Sequence, residues 1–154
     1  MKLPHRPTTR PALLCALSLL VLSSLPAQGQ QDPLARAAAE AGAVKTDSGL
    51  VYRDLKEGQG ANPGPTDVVR VHYRGSFPDG REFDSSYKRG KAAEFPLNRV
   101  IKCWTEGVQR MKVGGKARLA CPAAIAYGER GAGDVVPPNA TLFFEVELLG
   151  ISSK

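Results

Sequence analysis

The side chains that most enzymes use for covalent or metal chemistry are scarce after residue 29 of this sequence. His72 is the single histidine there, so a Ser-His-Asp or Cys-His nucleophilic site would have to rest on it alone. His72, Cys103 and Cys121 leave a four-ligand zinc site one ligand short unless a carboxylate joins them. These counts argue against nucleophilic catalysis and against a zinc centre.

The glycine-rich motifs that bind phosphates are absent as well. Neither GxxxxGK[ST] nor GxGxxG occurs in the sequence. The glycine-rich segment 128–133 contains no lysine and no helix pattern follows it, so it reads as an ordinary mobile loop. We therefore expect no cofactor.

The remaining candidates are apolar and aromatic, and the hydrophobic pattern predicts the strands that carry them. Between Asp67 and Arg74 every second residue is apolar or aromatic, and the same alternation runs from Leu142 to Ile151. Such alternation is typical of strands with one buried face. Further strands are predicted at 50–57, 94–97 and 116–121, between clusters of Gly, Pro, Asn and Asp.

One helix is predicted between these strands. Its apolar stripe consists of residues at spacings of three, four and three: Ile101, Trp104, Val108 and Met111. Gly114-Gly115 is expected to end the helix. Strands first and last with a single helix between them predict an α+β domain. We expect an antiparallel sheet of five to six strands wrapped around one short amphipathic helix.

The first 29 residues have the three parts of a secretory signal peptide. A basic start precedes an apolar run over 12–25 and a small-residue exit at 27–29. Cleavage is expected after Gly29, or alternatively after Ala27. The apolar run is short for a permanent membrane anchor.

The expected location is the periplasm, with secretion or the endoplasmic reticulum lumen as alternatives. Residues 30–43 then form a short extension, helical if Asp32-Pro33 starts a helix, ahead of a domain at 44–154.

The charge does not favour a nucleic-acid partner. The chain carries 21 Lys and Arg against 15 Asp and Glu, but from residue 30 onward the numbers are 18 and 15, a net charge of +3. The basic residues there alternate with acidic ones and form no run.

Three segments resemble a known family. They are similar to the signature blocks of FKBP-type peptidyl-prolyl cis/trans isomerases, in that family's order and spacing. The segments are VHYRGSFPDGREFDSSY (71–87), VIKCWTEGVQRMKVGGKARL (100–119) and AYGERGAGDVVPPNATLFFEVELL (126–149). The SGLVY and FPLNRVI segments resemble its bacterial envelope members. The resemblance implies the FKBP-like fold and an enzyme that turns X-Pro bonds in unfolded or exported polypeptides.

The resemblance also assigns roles to residues. It implies a proline pocket floored by Trp104 and lined by Tyr73, Phe83, Val100, Ile101, Tyr127 and Phe144. It ties Asp84 to Tyr73 and Arg89 beside the pocket, and it places Val135 and Val136 in an overhanging loop. The Ile101 N–H and the Tyr127 hydroxyl would hold the carbonyls of the ligand.

Each of these residues has a simpler interpretation. Val100, Ile101, Trp104 and Phe144 lie on faces that any hydrophobic core would make apolar. Asp84 suits a solvated turn unless Arg89 is within reach. Tyr127 differs, because it stands at the start of a glycine-rich loop, where packing alone is a poor explanation for an aromatic side chain. A non-catalytic chaperone or peptide-binding module using the same cleft is the alternative function.

The sequence departs from the family pattern at two positions. Cys103 stands where the family has glycine, and on a helical wheel it can meet Cys121 in the seam between helix and sheet. An exported protein would form this disulfide, the alternative being two buried free thiols. Ala93 replaces an aromatic of the members that bind macrolides strongly, so a macrolide ligand of the FK506/rapamycin class is an open expectation. The long N-terminal helical arm of dimeric relatives is lacking, so a monomer is expected.

Overall fold

The computed structural model describes residues 32–152 and consists of one seven-stranded antiparallel sheet with helices on both faces. The predicted signal peptide at 1–29 lies outside the described residues. In chain order the elements are α1 (Pro33–Ala38), β1 (Ala43–Lys45), β2 (Val51–Lys56), β3 (Val68–Ser76), β4 (Glu82–Ser85), β5 (Ala93–Pro96), a 3-10 turn (Leu97–Arg99), α2 (Lys102–Gln109), β6 (Lys116–Cys121), a second 3-10 turn (Ala123–Ile125) and β7 (Leu142–Ser152).

The sheet is organised around its two longest strands. Its order is β1-β2-β6-β7-β3-β4, and β5 pairs with β3 on the edge that β4 also uses. Tyr73 of β3 lies opposite Val146 of β7, and Gly75 lies opposite Asp84 of β4. The predicted α+β fold is confirmed. The sheet has seven strands rather than five to six because β1 and β4, with three and four residues, are too short to show a periodic pattern.

One face of the sheet and α2 form the main core. The alternating residues of β3 and β7 are buried as predicted, with Val69, Val71 and Val146 fully inaccessible. They pack against α2 through Trp104 and Val108, so the helix covers the sheet with its apolar stripe.

The opposite face of the sheet is covered by α1. Asp32 caps this helix by accepting a hydrogen bond from the Leu34 N–H at 3.1 Å. Ala37 is buried against a second cluster from the outward residues Val51, Ala120 and Phe143. Neighbouring residues of β7, such as Phe143 and Phe144, therefore belong to two different clusters.

The structure corrects the predicted end of α2. The helix ends at Gln109 rather than at Gly114-Gly115, although Met111 stays buried in the core. The side-chain amide of Asn62, which lies 49 residues earlier, donates to the Met111 carbonyl at 2.7 Å. Met111 lies two residues beyond the helix, and this long-range bond satisfies its carbonyl where the chain has left the helix. Gly114, with φ of 88°, then turns the chain towards β6.

Within residues 32–152 no helix combines the length and the apolarity needed to cross a bilayer.

Candidate active site

A cavity of about 450 Å³ opens where the start of α2 meets β3, β4, β5 and β7. The loop after β6 completes its wall. The residues that line it are Tyr73, Phe83, Asp84, Phe95, Arg99, Val100, Ile101, Trp104, Tyr127 and Phe144. Most of this lining is aromatic or aliphatic, so the cavity suits an apolar ring more than a charged group.

Trp104 forms the floor of this cavity and is only 4% exposed. Three aromatic rings meet its indole at angles between 85° and 90°: Tyr73 at 5.2 Å, and Phe95 and Phe144 at 5.5 Å between centroids. Edge-to-face contacts of this kind are favourable beyond the area they bury. Because β3, β5 and β7 each supply one of the rings, the sheet fixes the indole from three sides.

A hydrogen-bonded network borders the cavity. Asp84 accepts hydrogen bonds from the Tyr73 hydroxyl and the Arg89 guanidinium, and Arg89 Nη2 also donates to Tyr73 Oη at 2.8 Å. Partial burial opposes ionisation of Asp84, but the bonds from Tyr73 and Arg89 outweigh it and hold the pKa of this carboxyl below its ordinary value. The negative charge of Asp84 is therefore compensated within the network.

Two hydrogen-bond donors stand at the cavity without partners of their own. The Ile101 N–H, just ahead of α2, and the Tyr127 hydroxyl make no hydrogen bond with any residue from 32 to 152. Burial, and to a lesser extent the charge of Asp84, raise the pKa of Tyr127, so its hydroxyl stays protonated at neutral pH.

The structure brings together most of the predicted site residues. The predicted residues that line the cavity are Tyr73, Phe83, Asp84, Val100, Ile101, Trp104, Tyr127 and Phe144. Arg89 does not line it but binds Asp84 and Tyr73, so Asp84 is not the solvated turn residue of the simpler interpretation.

Val135 and Val136 do not line the cavity. Val136 bridges back to Ala132, whose N–H donates to the Val136 carbonyl at 2.8 Å. This turn buries the Val136 side chain in the core and leaves Val135 55% exposed to solvent.

Phe95 and Arg99 line the cavity but were not predicted from the sequence. Phe95 lies on the predicted strand 94–97, and its alternation with Glu94 could have indicated an inward side chain. No sequence pattern indicates the position of Arg99, because this depends on how the 3-10 turn is attached to α2.

Cys103 and Cys121 form the predicted disulfide, with their Cα atoms 5.8 Å apart. Both side chains are fully buried. The bond joins the first turn of α2, directly before Trp104, to the last residue of β6, after which the chain leads to Tyr127. The disulfide thus connects two segments of the cavity wall. Among residues 32–152 there is no cluster of His, Cys, Asp or Glu suited to a metal ion.

Gly75 of β3 lies directly behind two cavity rings. A methyl group here would come within 2.6 Å of Phe83 and 3.0 Å of Phe144. We expect Gly75→Ala to lower the free energy of unfolding by about 1–3 kcal/mol through overpacking. Gly150→Ala in β7 is the matched control, since its methyl group would meet no atom within 4 Å. Urea unfolding of both variants checks this, and equal midpoints would contradict the close packing.

The Asp84 network makes stability depend on acid. Because the pKa of Asp84 is lower in the folded protein, its contribution is present above the unfolded pKa, about 3.9, and is lost as the pH falls through the folded value. We expect wild type to lose more unfolding free energy between pH 7 and pH 3 than Asp84→Asn does. The carboxyl is 39% exposed, so the difference should stay below about 1 kcal/mol. Equal losses in urea titrations at both pH values would exclude this contribution.

The chain is similar in sequence to known proteins. The family model described as FKBP-type peptidyl-prolyl cis-trans isomerase matches residues 59–149. The FKBP-type isomerase FkpA of Aeromonas hydrophila is 53% identical over 121 residues, which cover 79% of this chain and 45% of that protein. The FKBP-type 22 kDa isomerase of Escherichia coli K12 is 54% identical over 110 residues, 71% of this chain and 53% of that protein.

Solved structures show the same similarity. The crystal structure of FkpA from Escherichia coli superposes with a TM-score of 0.75 at 44% identity, covering 77% of this chain and 55% of that one. A peptidyl-prolyl cis-trans isomerase from Pseudomonas syringae gives a TM-score of 0.73 at 37% identity, covering 79% and 89%. The chain spans about half the length of the two curated relatives described above.

Proposed function

Because this chain belongs to the family of FKBP-type peptidyl-prolyl cis-trans isomerases, we propose that it accelerates the rotation of X-Pro peptide bonds. The observation that supports this most directly is the cavity floored by Trp104, whose indole is held by three perpendicular rings. It offers an apolar surface to a five-membered ring, and its lining among residues 32–152 includes no Ser, Thr, Cys, Lys or His side chain. Prolyl isomerisation needs no nucleophile, since no covalent bond is made or broken.

The chemistry of the amide explains why such a cavity can catalyse. Rotation costs about 18–20 kcal/mol because the twisted amide loses its resonance. The twisted form also has less charge separation between nitrogen and oxygen than the planar form. A cavity with few water molecules and apolar walls therefore disfavours the planar ground state relative to the transition state.

The polar groups at the cavity hold the rest of the peptide. The Ile101 N–H and the Tyr127 hydroxyl donate to carbonyls that flank the proline, which fixes one side of the bond while the ring turns on Trp104. Asp84, Tyr73 and Arg89 keep one wall in place through their mutual hydrogen bonds. The residues thus contribute orientation and desolvation, without transferring a proton.

The substrates are proline-containing unfolded or exported polypeptides. The signal-peptide pattern at 1–29 supports export, with the periplasm as the site of action, and the buried Cys103–Cys121 disulfide is typical of an oxidising compartment.

The enzyme acts as a monomer, and light scattering in solution tests this. A macrolide of the FKBP-binding class competes with peptide for the cavity.

A protease-free assay of a short X-Pro peptide tests the function. We expect catalysed rates that rise linearly with enzyme concentration and fall when the macrolide is added. The uncatalysed reaction takes tens of seconds, so acceleration is easily measured. If the isomerisation rate with folded protein present equals the uncatalysed rate in buffer, the proposal is wrong. Suppression of aggregation without turnover would instead favour a non-catalytic chaperone.

A further inference from the structure

Arg99 is the one basic side chain among the cavity-lining residues of the described chain. It ends the 3-10 turn before Val100 and is exposed to solvent. No carboxylate between residues 32 and 152 forms an ion pair with it, whereas Arg89 is paired with Asp84. A solvent-exposed guanidinium therefore stands at the cavity without an ion-pair partner in this part of the chain.

The acid at the cavity does not compensate Arg99. Asp84 already receives hydrogen bonds from Tyr73 and Arg89, so its charge is used within that network. The other lining residues are uncharged. The cavity mouth near Arg99 therefore favours a negative group on whatever binds there.

The backbone places Arg99 next to the bound peptide. Val100 is extended, with φ of −115° and ψ of 172°, so Arg99 and Ile101 follow each other along the rim of the cavity. In our proposed function the Ile101 N–H holds a carbonyl beside the proline. A side chain flanking that carbonyl then passes within reach of the guanidinium, which can bind a carboxylate through two parallel hydrogen bonds.

We propose that Arg99 determines substrate preference by selecting peptides with an acidic residue next to the proline. The inference rests on the proposed function, because it assumes that the peptide lies in this cavity. The pair forms at an exposed rim, where such interactions are modest, so we expect a preference of about two- to fivefold for Glu over Gln. The preference should shrink at 1 M salt, where the Debye length is about 3 Å.

Binding can be measured without turnover because Trp104 is the single tryptophan of the chain and lines the cavity. Its fluorescence gives the Kd of otherwise identical peptides with Glu, Gln or Lys before the proline, and of a second set with the change after it. We expect Glu to bind more tightly than Gln in at least one set, and Lys more weakly than Gln.

Arg99→Gln should lower the ratio of the Gln-peptide Kd to the Glu-peptide Kd from about two to five in wild type to about one. Using a ratio on one protein removes any general loss of affinity. Arg36→Gln is the matched control, since Arg36 is an exposed arginine on α1, across the sheet from the cavity, and this variant should keep the wild-type ratio.

The outcomes separate this inference from the proposed function. Equal affinity for Glu and Gln peptides in wild type, or a preference that survives Arg99→Gln, would overturn the role of Arg99 even if isomerisation is observed. A Glu preference that depends on Arg99, found together with buffer-level isomerisation rates, would instead overturn the catalytic proposal and leave the preference standing.

Discussion

Trp104→Ala is expected to lower kcat/KM towards an X-Pro peptide by about 100-fold. The substitution removes the floor against which Tyr73, Phe95 and Phe144 are packed, so water can enter the cavity and the rings can shift. Misplacement of reacting groups by about 1 Å can cost a factor of this size. The protease-free assay measures the loss, and Trp104→Phe should retain part of the activity because an apolar ring remains.

Loss of stability must be separated from loss of the cavity. Truncating a buried tryptophan costs about 3–5 kcal/mol of unfolding free energy, which could unfold the variant. Met111→Ala is the control, because Met111 is buried in the same core but does not line the cavity. It should be destabilised by about 2–5 kcal/mol yet remain active wherever circular dichroism shows it folded. A folded Trp104→Ala protein with wild-type kcat/KM would contradict the proposed mechanism.

Removal of the Cys103–Cys121 disulfide is the second change with a large expected effect. The bond closes a loop with a sequence separation of 18 residues, and loops of this length contribute about 3 kcal/mol by restricting the unfolded chain. We expect the Cys103→Ala/Cys121→Ala variant to lose about this amount in urea unfolding. Because the bond holds the start of α2 beside Trp104, the tryptophan spectrum should also broaden.

Reduction of the wild-type protein provides an independent measurement. With a strong reductant, and with both thiols verified by alkylation and mass, the wild-type midpoint should fall to near that of the double variant. The midpoint of the variant itself should not respond to reductant. A wild-type midpoint that stays unchanged after verified reduction would show that the disulfide does not stabilise the fold.

The long periodic elements were predictable from the sequence because burial on one face imposes a pattern. β3 and β7 show this, since Val71 and Val146 follow the alternation that the core requires. The early end of α2 was not predictable, because the segment that follows Gln109 is hydrogen-bonded by Asn62, a residue distant in the sequence. β1 and β4 were missed because strands of three and four residues contain too few alternations.

The predicted cavity depended mainly on family resemblance, since hydrophobicity alone does not separate a core residue from a cavity residue. Trp104 and Phe144 are both buried and would suit a core that had no cavity. Arg99 shows the opposite problem, because an exposed arginine in a turn carries no signal until its surroundings are known. Val136 illustrates a third problem, because a local turn back to Ala132 decides that its side chain faces inward.

The position of α1 determines how the protein can be attached to other objects. Asp32 caps this helix at its start. The helix packs through Ala37 against Val51, Ala120 and Phe143, whereas Trp104 belongs to the cluster on the other side of the sheet. A dye, a bead or a fused domain joined just before Asp32 would thus be tethered behind the sheet. Single-molecule and surface-based experiments can use this tether while the opening above the indole stays accessible to long polypeptides.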